Sequence, residues 1–244
     1  MPDLSSPLHL PNHRRDRQPP HRSWLPRQRR GTTPQMVGRY PDYDVFDAAS
    51  TWDSATAEVI AARMRHGQRA LTFFSAAEQP TLRAFCDVAT GQDGEPRVPV
   101  AEMVDETLDA GRLDGYQYDG MPDDRDTWRI VLRGLDETAR RRYGASGFAA
   151  LDGESREGIV GHLADGTLSG DSWDTLDPKR AFSVCMRAML SAFYSHPWAW
   201  NEIGFGGPAY PHGFMRLGPL AVLEPYEKPG ATHEDPLRVG DGEG

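Results

Sequence analysis

Apolar residues recur at helical spacing in six stretches of this chain, and each stretch is bounded by start and stop signals. Asp53 is an N-cap candidate before Val59, Ile60 and Met64. Ser75-Ala76-Ala77-Glu78 has the form of a capping box, in which Ser75 accepts from the third amide while Glu78 reaches back; Phe74 stands before it as a staple. Leu82, Phe85, Cys86 and Ala89 then share one face, and Gly91 stops that helix. Pro99 opens a third helix through Met103, Val104 and Leu108, closed by Gly111. After a loop over 111–124, Asp124 or Asp126 starts a long helix with Trp128, Val131, Leu132, Leu135 and Ala139 on one stripe. Arg140, Arg141 and Arg142 occupy its last turn, where cations suit the helix dipole, and Gly144 ends it. Phe148 and Leu151 precede a fifth helix with Ile159, Val160 and Leu163 as its stripe and Gly166 as its stop. The sixth follows Asp177-Pro178 and presents Phe182, Cys185, Met186, Met189, Leu190 and Phe193.

No stretch alternates apolar and polar residues over five positions, so β-structure is expected to be minor. The pattern predicts an all-α fold: an irregular bundle of five to six helices with long loops, in one domain over 46–223. Residues 1–45, rich in Arg, Pro and His, read as a disordered basic tail. Within its end, Tyr40-Pro41-Asp42-Tyr43 could pack beside Val45 and Phe46 as a short docked piece. Residues 224–244 read as an extended polar C-terminal tail. Gly 25 and Pro 20 in 244 residues agree with long irregular segments.

Charge changes this picture in one respect. The net charge is −9, yet residues 1–40 hold eight arginines against Asp3 and Asp16, so the body is more acidic than the total suggests. An acidic body with a basic tail is not an overall nucleic-acid binder, and a role on anionic surfaces through the tail is unattractive. Arg14-Arg15 and Arg29-Arg30 invite a twin-arginine reading, but no apolar run follows either pair, so no export signal is expected in this chain. No uncharged run of transmembrane length is present, and direct membrane insertion is not expected. Cys86 and Cys185 sit at helical apolar positions without CxxC spacing, and are read as buried free thiols.

One segment does not read as bundle. Residues 194–214 crowd five aromatics after Tyr194, four glycines and three prolines into about twenty positions. Gly and Pro exclude a long helix or a central strand, while the aromatic load is too high for a solvated linker. The block is either a lid folded back on the bundle or an element that inserts into another protein, and the two roles are compatible. Read as an interface, its docking residues are His196, Pro197, Trp198, Trp200, Asn201, Glu202, Phe205, Gly206, Gly207, Pro208, Tyr210 and Phe214, with Trp198, Trp200, Phe205 and Tyr210 as hot spots.

Intrinsic chemistry has few candidates. Of eight histidines, His9, His13 and His21 lie in the tail, His66 is near a helix end, and His162 has no matching ligand one turn on. HExxH and GxxxxGK[ST] are absent, and Gly204-Phe205-Gly206-Gly207 lacks the strand and helix of a phosphate cradle. A stand-alone metal-dependent enzyme would have to use His196, His212 and Glu202. A histidine before proline in an aromatic loop is more often a packed structural residue. Asp123-Asp124, and Asp171 with Asp174, read as solvated loops or helix caps.

The string Phe193-Tyr194-Ser195-His196-Pro197, followed by Trp200 through Pro211, resembles the C-terminal signature of gluconate 2-dehydrogenase subunit 3. Leu71-Thr72-Phe73-Phe74-Ser75-Ala76-Ala77-Glu78 with Leu82 resembles that family's opening helix, so the similarity spans about 70–225. The resemblance implies a small, non-catalytic accessory subunit with no cofactor of its own. Its partner would be a flavin-dependent oxidoreductase of the glucose–methanol–choline class, carrying FAD and acting on sugars or sugar acids, with a cytochrome c subunit as a further partner. Some members carry a twin-arginine signal and escort the flavoprotein; its absence here implies a cytoplasmic complex, or one exported by the partner's signal.

Overall fold

Aspartate starts and glycine stops set most of the helix boundaries. The computed structural model describes residues 45–46, 49, 52–66, 70–92, 97–112, 115–203 and 205–208. Seven α-helices and no strand occur among them: α1 Ser54–Arg63, α2 Gln79–Thr90, α3 Val100–Asp109, α4 Asp124–Tyr143, α5 Gly153–Asp165, α6 Pro178–Ser195 and α7 Pro197–Ile203. Short 3-10 turns lie at Phe148–Ala150 and Asp171–Asp174. Asp53, Asp123, Asp152 and Asp177 cap α1, α4, α5 and α6, each side chain accepting from the amide three residues on. Gly91, Gly144 and Gly166 close α2, α4 and α5 with φ of 69°, 66° and 73°, a region open to glycine and strained for other residues.

α6 packs against α2, α3, α4, α5 and α7, so its buried Ala181, Cys185 and Met189 stand at the centre of the bundle. Phe73, Phe74, Trp128 and Phe85 form a chain of edge-to-face rings with centroid separations of 4.7, 6.1 and 6.0 Å. The apolar stripe of α4, Trp128, Val131, Leu132, Leu135 and Ala139, is fully buried, as its periodicity predicts. Cys86 and Cys185 are buried free thiols, and burial pushes both well above the ordinary thiol range. Among the described residues no helix is long and apolar enough to cross a membrane.

Three expectations change in detail. Glu78 accepts from both the amide (2.8 Å) and the hydroxyl (2.6 Å) of Ser75, and residues 76–78 form a turn before α2 begins at Gln79. Half of the capping box is therefore made, because the Ser75 hydroxyl is a donor to Glu78. Val59 is 54% exposed and Leu190 40%, although both lie on predicted faces. α1 buries only Ile60 and Ala61, and α6 turns Leu190 outward one position beyond Met189. The seventh helix lies in the aromatic block, where no helix was expected. Residues 1–44 of the basic tail, Tyr40 to Tyr43 among them, and the polar tail over 224–244 lie outside the described residues, whereas Val45, the last residue assigned to the tail, is buried in a small core.

Two polar contacts decide how elements meet. Asp105, 1% exposed on α3, accepts from the backbone amides of Thr72 (2.8 Å), Phe73 (3.0 Å) and Phe74 (3.0 Å). That carboxylate holds the two phenylalanines against the core, and Arg125 and Arg129 lie over the Phe73 ring at 4.8 and 4.4 Å. On α4, Gly134 lets the Trp173 indole lie flush on the helix, where Trp173 Nε1 donates to Thr138 Oγ1 at 2.9 Å. A Cβ at position 134 would meet the Trp173 ring at 2.6 Å.

Asp105→Ala should destabilise the fold by about 3 kcal/mol or more, since each orphaned buried amide costs about 1–3 kcal/mol. Urea unfolding followed by circular dichroism measures it. Gly134→Ala should lower stability by about 1–3 kcal/mol by overpacking, despite alanine's better helix propensity. Calorimetry would show the melting temperature falling; a rise would mean that Trp173 is free to move.

Candidate functional site

Pro197 shapes the aromatic block from its first residue. The residue before a proline avoids the helical region, so His196 is extended (φ −89°, ψ 136°) and α6 ends at Ser195. The chain turns there and α7 begins at once, with the His196 carbonyl accepting from Ala199 (3.0 Å) and Trp200 (3.3 Å). Phe205 N donates to Trp200 O at 2.9 Å beyond the helix.

His196 is 1% exposed. Its Nδ1 accepts from Trp198 N at 3.2 Å, and its ring meets the Trp198 indole edge-on at 5.1 Å. An accepting Nδ1 places the proton on Nε2. Burial, and then the charges of His66 and Arg63, lower its pKa to about 3. His196 is therefore a neutral, packed histidine.

The indoles that follow are also occupied within the chain. Trp198 packs against the main core. Trp200 is 4% exposed and belongs to a second, smaller core with Val45, Trp52 and Ile60, against which Phe46, Ala49, Ala57 and Phe205 pack. Trp200 Nε1 donates to Tyr194 O at 2.7 Å, and Phe205 meets its ring edge-on at 5.6 Å. Arg63, in the last turn of α1, lies over the Trp200 ring at 5.4 Å and donates through Nη1 to Ser195 O at 3.0 Å. Asn201 Oδ1 accepts from Val45 N at 2.8 Å. Gly207 adopts φ 86° with its Cα side 2.9 Å, at an added Cβ, from Val45 Cγ2, so glycine is required by conformation and by space.

Of the predicted docking residues, His196, Pro197, Trp200, Asn201 and Gly207 are buried in this chain, and Trp198, Phe205, Gly206 and Pro208 are half-buried. Glu202 lies on α7, while Tyr210, His212 and Phe214 fall outside the described residues. The described half of the block is thus a lid on the bundle and a bridge to α1. Sequence reasoning missed Arg63 and the Asn201–Val45 link, since nothing local ties residues 156 positions apart. Among the described residues no group of three His, Cys, Asp or Glu side chains is placed to hold a metal ion. His66 pairs with Glu106 at 2.7 Å, and exposed His162 meets Thr167 Oγ1 at 2.9 Å.

The buried histidine makes stability pH-dependent with a definite sign. Its folded pKa of about 3 lies below the ordinary 6.5, so between those values the unfolded chain binds a proton that the folded chain refuses. Stability should fall as pH drops below 6.5, by up to about 1.4 kcal/mol per pH unit from this group. His196→Gln should flatten that slope between pH 6.5 and about 5, above the range where carboxylates titrate. Denaturant midpoints measured across that range for both proteins check it.

The family model described as gluconate 2-dehydrogenase subunit 3 matches residues 76–207. The match starts in the turn that opens α2 and ends at the glycine seated on Val45, and it covers more than half of the 244 residues. No curated protein and no solved structure matches the chain. With α2 to α7 inside that match, the chain belongs to the gluconate 2-dehydrogenase subunit 3 family.

Proposed function

We propose that this chain is the small, non-catalytic subunit of a flavin-dependent dehydrogenase, which it binds and stabilises. The observation that carries the reading is the family match over 76–207, which takes in α2 to α7 and the start of the aromatic–glycine segment. The state of His196 supports it. A neutral histidine, buried and accepting from its own backbone, is a poor acid–base group and a reasonable structural pin. In this reading FAD and the oxidation of a sugar or sugar acid belong to a partner of the glucose–methanol–choline class, with a cytochrome c subunit as electron acceptor.

The aromatic block contributes to docking through its outward side. Ile203, 41% exposed at the end of α7, stands beside the half-buried Phe205, Gly206 and Pro208 in sequence, ahead of Tyr210 and Phe214. The buried indoles hold that edge in shape. Rigid support of a small exposed apolar edge is how an interface keeps its ordering cost low.

Affinity purification of the tagged chain from its own host should bring down a flavoprotein with flavin absorbance. Ile203→Arg should leave thermal unfolding unchanged and weaken that capture by about ten-fold or more. The double change Trp200→Ala with Phe205→Ala should cost about 3–5 kcal/mol at Trp200 alone and lose the partner together with the fold. A double variant that stays folded and still captures flavoprotein at wild-type affinity would rule out the docking role.

A further inference from the structure

A cavity of about 350 Å³ opens between the C-terminal ends of α1 and α6, the second half of α3 and the start of α4. Part of its lining is apolar, from Trp128, Met103, Leu108, Ala188 and Ala192. Hydroxyls of Thr107, Ser191 and Ser195 and several charged groups also line it. Arg63, Arg112 and Arg187 line it against two carboxylates, Glu106 and Asp124, which leaves the cavity positive in a chain of net charge −9.

One cation at this cavity stands without a counter-charge. The Arg63 guanidinium is half-buried, gives one hydrogen bond to the Ser195 carbonyl and rests on the Trp200 ring. No carboxylate among the described residues forms an ion pair with it, and burial lowers its pKa. Glu106 is already engaged by His66 at 2.7 Å and by Arg112 at 3.2 Å. Burial pushes the Glu106 carboxyl up, but the hydrogen bonds and charges of His66 and Arg112 outweigh that and hold it below the ordinary carboxylate range. It is committed as a partner there.

We propose that this cavity binds a small carboxylate with an apolar body, its carboxylate paired with Arg63 and its body against Met103 and Ala188. A planar guanidinium with free donors is matched by a carboxylate better than by any other common anion of this size, since two parallel bonds form at once. A half-buried cation is costly without a counter-charge, and an anion in the cavity removes that cost. The volume lies at the lower end of the range of about 300–1,000 Å³ for small-molecule sites, which limits the guest to a compact acid. Inorganic phosphate fits less well, because it is polar on every side and would leave the apolar lining unused. The site is a property of this chain by itself and does not rest on the identity of any partner.

Titration calorimetry on the full chain, with phenylacetate, its neutral amide and acetate as probes, tests the proposal. Phenylacetate should bind saturably at one per chain. Phenylacetamide, lacking the charge, and acetate, lacking the body, should each bind about ten-fold more weakly or worse. Arg63→Gln should weaken phenylacetate binding by about ten-fold and leave the amide unchanged. The comparison of acid and amide on the unaltered chain decides the matter even where the variant folds poorly. Equal binding of the two, or no binding of phenylacetate, overturns the proposal. Should the isolated chain bind no phenylacetate while Arg63→Gln abolishes capture of a flavoprotein, the cavity receives a carboxylate from a partner's side chain and the small-molecule site is refuted.

Discussion

The bundle hinges on one buried carboxylate. Asp105 gathers three successive backbone amides of residues 72–74 at 2.8, 3.0 and 3.0 Å, and so anchors an extended segment to α3 before α2 begins. Those amides have no strand to pair with, and buried without partners they would each be costly. Once they are satisfied, Phe73 and Phe74 point into the core and reach Trp128, which links the two phenylalanines to Phe85 on α2. Asp136 repeats the device on α4, where it accepts from the Thr81 hydroxyl and from the Phe148 amide, both at 2.8 Å. Short helices joined by irregular chain need such acceptors, because the joints carry backbone donors that no helix uses.

The aromatic block solves a related problem at the other end. α1 has a narrow apolar face and buries little by itself, so it depends on what α7 supplies. Trp200 fills the space between α1 and the residues around Val45, and Asn201 pairs with the Val45 amide across the same gap. His196 makes the turn possible and is held neutral by its burial, a state that suits a pin between helices more than a proton carrier. The block is therefore structural in this chain at its buried side, which leaves its exposed edge available for other contacts.

The chain belongs to the subunit 3 family, and the described histidines it offers are engaged within the chain. The histidine that looked most chemical in the sequence is spoken for by its own backbone, and His66 is engaged with Glu106. The cavity beneath Arg63 is the site proposed for a ligand, where a cation and an apolar wall meet. A subunit that docks through one edge and holds an anion near the same α1–α6 junction would have its two surfaces connected through Arg63 and Trp200, which touch.

Local rules made the helices legible. An aspartate followed by an amide three residues on, a glycine able to take positive φ, and a stripe at 3.6 spacing are encoded within a few positions, so α2 to α6 and the burial of Trp128, Leu135, Ile159 and Cys185 could be read directly. The oddity of residues 194–214 was legible as well, because its composition violates both helix and linker. Its inward half was not, since the partners of Trp200 and Asn201 lie on α1 and at Val45, far away in sequence and invisible to periodicity. The same limit hid Asp105, which as a single acid on a helix looks like any solvated position until the 72–74 amides fold onto it. Leu190 and Val59 show the converse: a stripe says which face is apolar, but only the packing of neighbours decides how much of it is covered. Sequence alone determined α1 to α6 and most of their ends, because those depend on local hydrogen bonds. Tertiary structure alone decided which polar side chains became internal anchors, because a buried carboxylate or histidine is defined by groups that arrive from elsewhere in the chain.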